Sequence, residues 1–149
     1  MNVGEICNPM VVSAAPGMTV TEAARIMRDQ HVGCLPVVEV TGDGKSIVGL
    51  ITDRDIVLSV VACELEPQTM TVGDVMTTEL VTVSSADTLS DVLYAMHQRG
   101  VRRVPVVSAR GVLQGIVALD DVLEAITDQL NDLVRAVKAE QGRESVERK

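Results

Sequence analysis

The sequence predicts a mixed α/β (α+β) protein of two pseudo-symmetric repeats, each a small sheet with two helices packed on it. Three observations carry that reading. The chain writes one pattern twice, offset by 69 residues up to an internal turn and by 66 after it. Each copy holds a helix with one apolar face. Each also holds two short apolar runs, the second ending in a Gly-apolar-apolar segment with Asp six positions after the Gly. A repeat of this length, with helix, strands and turns in register, is not an accident of composition. Its single indel falls in a turn, where indels are tolerated.

Val3-Gly4-Glu5-Ile6-Cys7 recurs as Val72-Gly73-Asp74-Val75-Met76. Each is a short apolar-acidic turn before a strand-like alternation, over 11–14 and 80–84. Thr19 and Thr88 then stand three residues before Glu22 and Asp91, the signature of a capping box. The helices that follow place apolar residues at Val20, Ala23, Ala24 and Met27, and at Leu89, Val92, Leu93 and Met96. That i, i+3, i+4, i+7 spacing gives each helix one buried face.

Cys34-Leu35-Pro36-Val37-Val38 and Arg103-Val104-Pro105-Val106-Val107 come next as strands, each proline marking a strand start or an edge. The Gly/Asp-rich turn over 41–45 is longer than its counterpart over 108–111. Gly44-Lys45-Ser46 mimics the end of a phosphate-binding loop. The first Gly of that motif would fall on Glu39, and the segment joins two strands, so the motif is rejected. Gly49-Leu50-Ile51-Thr52-Asp53-Arg54-Asp55-Ile56 reads as a buried strand running into a helix. Thr52 is its N-cap and Asp55 reaches back to the cap. A helix start with unpaired N–H groups and a hydroxyl is also an anion site. Gly115-Ile116-Val117 and Asp121-Val122 repeat the pattern.

The predicted boundaries are 1–63 for the first domain, 64–71 for a linker containing Pro67, 72–130 for the second domain, and 131–149 for a helical extension and tail. Leu119, Leu123, Ile126, Leu130, Leu133 and Val137 alternate spacings of four and three. They predict a long helix, packed either along its own domain or against another molecule. From Gly142 onward, through Arg148 and Lys149, a frayed tail is expected.

Apolar residues make up 46% of the chain, and Tyr94 is its one aromatic, so the core must be Val, Leu, Ile, Ala and Met. No run approaches the roughly 18–20 apolar residues that span a bilayer, and no secretory leader is visible at Met1. Three cysteines without C-x-x-C spacing read as reduced thiols. The expected location is the cytoplasm, without membrane association. A net charge of −8 argues against a nucleic-acid partner. His31 and Cys34 are spaced as a metal pair could be, but no second pair accompanies them, and no metal is expected. No nucleophile has a recognisable base and no carboxylate pair stands out, so no catalytic residue and no enzyme activity are expected.

The two Leu/Val-Pro-Val-Val runs and the segments Gly49 to Asp55 and Gly115 to Asp121 resemble a tandem pair of cystathionine β-synthase (CBS) domains, the Bateman module. The resemblance covers about residues 1–130. The chain is similar to small free-standing bacterial CBS-pair proteins. It implies a regulatory or sensor module binding an adenosine-containing ligand (AMP, ADP or ATP) between the repeats, and a homodimer with Tyr94 at its interface. No cofactor is required beyond that regulatory ligand, and an unidentified protein partner would read the bound state.

Carried onto this chain, the resemblance gives Thr52 a role at phosphate or ribose and Asp55 one at the ribose hydroxyls, with Arg54 between them. Asp121 is the second Asp, but Ala118 replaces the matching hydroxyl. Arg102 and Arg103 are the cationic pair, whose forks suit phosphate. Leu35 and Val104 are core residues that could touch a base through their backbones. The alternatives stay open: Thr52 and Asp55 as a capping box only, the arginines as surface residues, and the whole chain as a ligand-free interaction or stress-response protein on the same fold.

Overall fold

The computed structural model describes residues 1–147; Arg148 and Lys149 of the expected tail lie outside the described residues. The first repeat contains α1 (Val3–Ile6), α2 (Val20–Gln30), the hairpin β1 (Cys34–Thr41) and β2 (Gly44–Thr52), and α3 (Asp53–Ile56). The last runs on as a π-helical turn, Val57–Val61. The second contains α4 (Val72–Val75), α5 (Leu89–Arg99), the hairpin β3 (Arg103–Val107) and β4 (Leu113–Ala118), and α6 (Leu119–Glu147). Both hairpins are antiparallel, and their registers slip at equivalent places, Val37/Val38 and Val106/Val107.

The capping boxes form as the sequence predicts. The Glu22 amide donates to the Thr19 hydroxyl at 3.1 Å and the Thr19 amide to the Glu22 carboxylate at 3.3 Å. Thr88 and Asp91 do the same at 3.2 and 2.9 Å. Thr71 and Asp74 form a further box that the sequence reading did not single out. The backbone bond each carboxylate accepts holds Asp74 and Asp91 below the usual carboxylate range. Behind the caps, α2 buries Val20, Ala23 and Met27, and α5 buries Val92 and Met96. Leu93, expected in that face, is instead 38% exposed. The two helices end in the left-handed region at equivalent positions, on His31 and Gly100.

The strands expected over 11–14 and 80–84 shrink to single parallel bridges, Ala14 with Val37 and Val83 with Val106. The prolines explain this. The Ala14 amide donates to the Pro36 carbonyl and the Val38 amide to the Ala14 carbonyl, both at 2.9 Å. The next rung would need an N–H on Pro36, which has none. Pro105 ends the equivalent ladder at Val83.

The two cores do not follow the two sequence halves. Val3 of α1 is buried with Val92, Val104, Val106 and Val117, with Ile6 and Cys7 packed alongside. Val72 of α4 is buried with Ala23, Leu35, Val37 and Ile51, with Val75 and Met76 alongside. Each repeat therefore lends its first element to the other. The exchanged segments are tied down by reciprocal backbone pairs, Asn8 with Ile116 at 2.9 and 3.0 Å and Thr77 with Leu50 at 2.8 and 2.9 Å. The repeat's glycines permit that crossing. A Cβ on Gly115 would lie 2.9 Å from the Asn8 carbonyl oxygen, and one on Gly49 2.5 Å from the Met76 sulfur.

α6 continues to Glu147 and does not fray at Gly142. Strong helix formers flank that glycine, and Arg143 pairs with Glu147 at 3.1 Å one turn on. Only Val122 and Ala125 of this helix are buried, so packing along its own domain stops within two turns.

Candidate functional site

Two extended stretches, the turn from α5 into β3 and one helix start converge on a cleft of about 360 Å³. Leu50 and Thr52 come from β2, Thr77, Glu79 and Val81 from the segment after α4, and Arg99, Val101 and Arg103 from the end of α5 into β3, with Asp55 at the helix start. The first two stretches contribute every second residue, as expected where side chains of extended backbone alternate in direction, whereas Arg99 reaches in from the last turn of α5, just before the left-handed Gly100. The exchange of α4 brings the second stretch here, since Thr77 is paired with Leu50.

At the helix start, the Asp55 amide donates to the Thr52 hydroxyl oxygen at 3.1 Å, and the Thr52 amide donates to one Asp55 carboxylate oxygen at 2.9 Å. The capping box is therefore formed. It leaves the Thr52 O–H proton and the second Asp55 oxygen available, because a hydroxyl both donates and accepts and a carboxylate has two oxygens. Capping and ligand contact are compatible roles for the same two side chains. Arg103 faces them from the other repeat. Arg99 and Arg103 make no ion pair among the described residues.

The other sequence-predicted residues are dispersed. Arg102 shares with Arg103 a second hollow of about 210 Å³, with Ala118, Leu119 and Asp120. Arg54 points elsewhere, beside Asp53, Val57 and Leu58. Asp121 lines an acidic hollow with Glu5, Glu124 and Asp128. Its carboxylate still accepts the Ala118 amide at 2.8 Å, half of a capping box. Leu35 and Val104 have no exposed surface. Sequence reasoning missed Glu79 and Arg99. Arg99 closes α5 and is brought in by the left-handed turn at Gly100, whereas Glu79 reaches the cleft only through the exchange.

Cys34 occupies the position in β1 that Arg103 occupies in β3. Burial pushes its thiol up to about 11, against an opposing pull from the Arg103 charge. Among the described residues, no three His, Cys, Asp or Glu side chains stand close enough to hold a metal ion, so His31 and Cys34 gain no further ligand. No described helix is long and apolar enough to cross a membrane.

Two pseudo-symmetric repeats enclosing a cleft lined by charged and apolar side chains define a tandem module of mixed α/β class. The CBS domain model matches the chain twice, over residues 3–62 and 72–128, and the chain belongs to that family. It is 33% identical over 135 residues to Hypoxic response protein 1 of Mycobacterium tuberculosis, covering 91% of this chain and 90% of the relative. The crystal structure of Hypoxic Response Protein I with two coordinated zinc ions matches with a TM-score of 0.74 at 34% identity, over 84% of this chain and 98% of that one. CBSX2 in complex with AMP matches with a TM-score of 0.73 at 26% identity, over 85% and 96%. The CBS pair of MJ0100 in complex with 5'-methylthioadenosine and S-adenosyl-L-methionine matches at 0.75 and 25%, over 87% and 98%. The chain spans 62% of the length of another relative, the uncharacterized protein MK0525 of Methanopyrus kandleri.

Proposed function

We propose that this chain is a non-catalytic sensor that binds an adenosine-containing ligand, AMP, ADP or ATP, in the cleft between its repeats. One observation carries the reading: Thr52 and Asp55 of one repeat share a single cleft with Arg99 and Arg103 of the other. Its volume of about 360 Å³ lies within the range of small-ligand sites. The AMP complex of CBSX2 and the adenosyl complexes of MJ0100 support the ligand class. In this reading the free oxygen of Asp55 accepts the ribose hydroxyls, a charge-assisted contact. The Thr52 O–H and the arginine forks take the phosphate. Bound ligand then ties the helix start of the first repeat to β3 of the second, which is the signal a partner would read. The working form in this reading is a cytoplasmic homodimer, supported by the exposed apolar residues Val57, Leu58, Leu93 and Tyr94.

A thermal-shift panel with AMP, ADP, ATP, NAD and S-adenosylmethionine tests the proposal. An adenine nucleotide should raise the midpoint, and adenosine should bind much more weakly than AMP. Equal affinity for adenosine and AMP would remove the arginines from the site. No shift with any of the five would leave the ligand-free interaction protein.

A further inference from the structure

We propose that the projecting part of α6 pairs with α6 of a second copy of this chain, antiparallel and centred on Leu130. This rests on the homodimer reading and not on the nucleotide reading. From Ile126 to Glu147 every residue of α6 is exposed. Six turns of helix without tertiary support are marginal in water, because helices in proteins draw most of their stability from packing an apolar face. Such a face is present and uncovered. Leu123, Ile126, Leu130, Leu133, Val134 and Val137 are 42–61% exposed. At 3.6 residues per turn they fall in one stripe roughly 100° wide, the width of a core-facing helix surface. All the charged side chains between 120 and 138 project outside it.

The distribution of charge selects both the occupant and its direction. Residues 119–134 of α6 carry five carboxylates and no cation, whereas 135–143 carry Arg135, Lys138 and Arg143 against one carboxylate. A parallel pair would stack the ten carboxylates at one level. Centred on Leu130, an antiparallel pair lays Asp120, Asp121 and Glu124 beside the partner's 136–140 stretch, which carries Lys138 and follows Arg135, leaves Asp128 and Asp132 level with their like, and opposes the two helix dipoles, a favourable balance. The stripe is also centred for this arrangement. Leu123 and Val137 lie equally far from Leu130, so Leu130 meets its own copy and Leu123 meets the copy's Val137.

Cysteine cross-linking of the full chain reads the pairing directly. Cys63, the exposed native thiol, is first replaced in a Cys63→Ser background. Leu130→Cys should then oxidise to a disulfide-linked dimer. Leu123→Cys should not, since its copy lies about 21 Å away along the axis, far beyond disulfide reach. An equimolar mixture of Leu123→Cys and Val137→Cys should cross-link only as the heterodimer. Self-cross-linking of both Leu123→Cys and Leu130→Cys would mean parallel helices and overturn the proposal. Light scattering on the unmodified chain separates the remaining failures. A dimer of twice 15.9 kDa in which no cysteine variant cross-links overturns the α6 pairing and spares the homodimer. A monomer overturns both.

Discussion

Around the cleft, Thr52, Asp55, Glu79, Arg99 and Arg103 correspond by the repeat to Ala118, Asp121, Met10, Gln30 and Cys34. The backbone beneath the two sets is the same. Both have a Gly at the crossing, a hairpin with the same register slip, and an Asp that caps the following helix. What differs is the exposed chemistry, since the second set has lost the hydroxyl and both cations. The comparison separates two demands on one motif. The glycine and the aspartate serve the fold, because they persist where the polar partners are gone. Thr52, Arg99 and Arg103 have no counterparts of their kind in the second set, and in the proposed reading a ligand gives them a joint purpose beyond the cap that Thr52 makes.

The most severe break of this comparison uses the two aspartates. Asp55→Ala and Asp121→Ala should each lose a cap and cost on the order of 1 kcal/mol of stability. Only Asp55→Ala should also cost roughly 1.5–3 kcal/mol of AMP binding, about ten- to a hundredfold. Titration calorimetry on the two folded variants decides it, and equal losses would make the clefts equivalent. The glycines come next. Gly115→Ala drives a methyl into a backbone carbonyl and should cost about 1–3 kcal/mol in denaturant unfolding. Gly49→Ala first meets the flexible Met76 side chain and should cost less, although the Thr77 carbonyl lies 3.1 Å from the same methyl.

Ala118→Thr restores the missing half of the box and should raise stability by about 0.5–1 kcal/mol in denaturant unfolding. The smallest effect is at the helix ends. His31 holds a left-handed conformation (φ 55°) that Gly100 (φ 62°) adopts without strain. His31→Gly should therefore stabilise by several tenths of a kcal/mol, visible as a small rise in melting temperature. No change would mean that imidazole contacts offset the strain.

Most of the fold was legible because its signals are local. Thr19 before Glu22, Thr52 before Asp55 and the Val-rich hairpins each state their own structure within a few residues. The strands over 11–14 and 80–84 misled, since the alternation is present but the donor that would extend their ladders is missing from Pro36 and Pro105. The cleft was half legible. Thr52, Asp55 and Arg103 stood in recognisable motifs, but Arg54 was included by adjacency to them and lines another hollow. Asp121, the Asp of the second half, lines a hollow with Glu5, Glu124 and Asp128. Glu79 was illegible because no local pattern announces that α4 packs on the preceding repeat.

The swapped first elements also set the order in which this polypeptide can mature. Val3 bonds to Asp87 and Asn8 to Ile116, contacts separated by 84 and 108 residues. On a ribosome, the first repeat lacks Val72 until the linker has emerged, and α1 waits longer still for β4. Neither half of the sequence supplies all of its own core. Such long-range closure slows folding relative to a chain of local contacts, and it leaves the valine-rich first hairpin unsheltered during synthesis, a period in which aggregation competes.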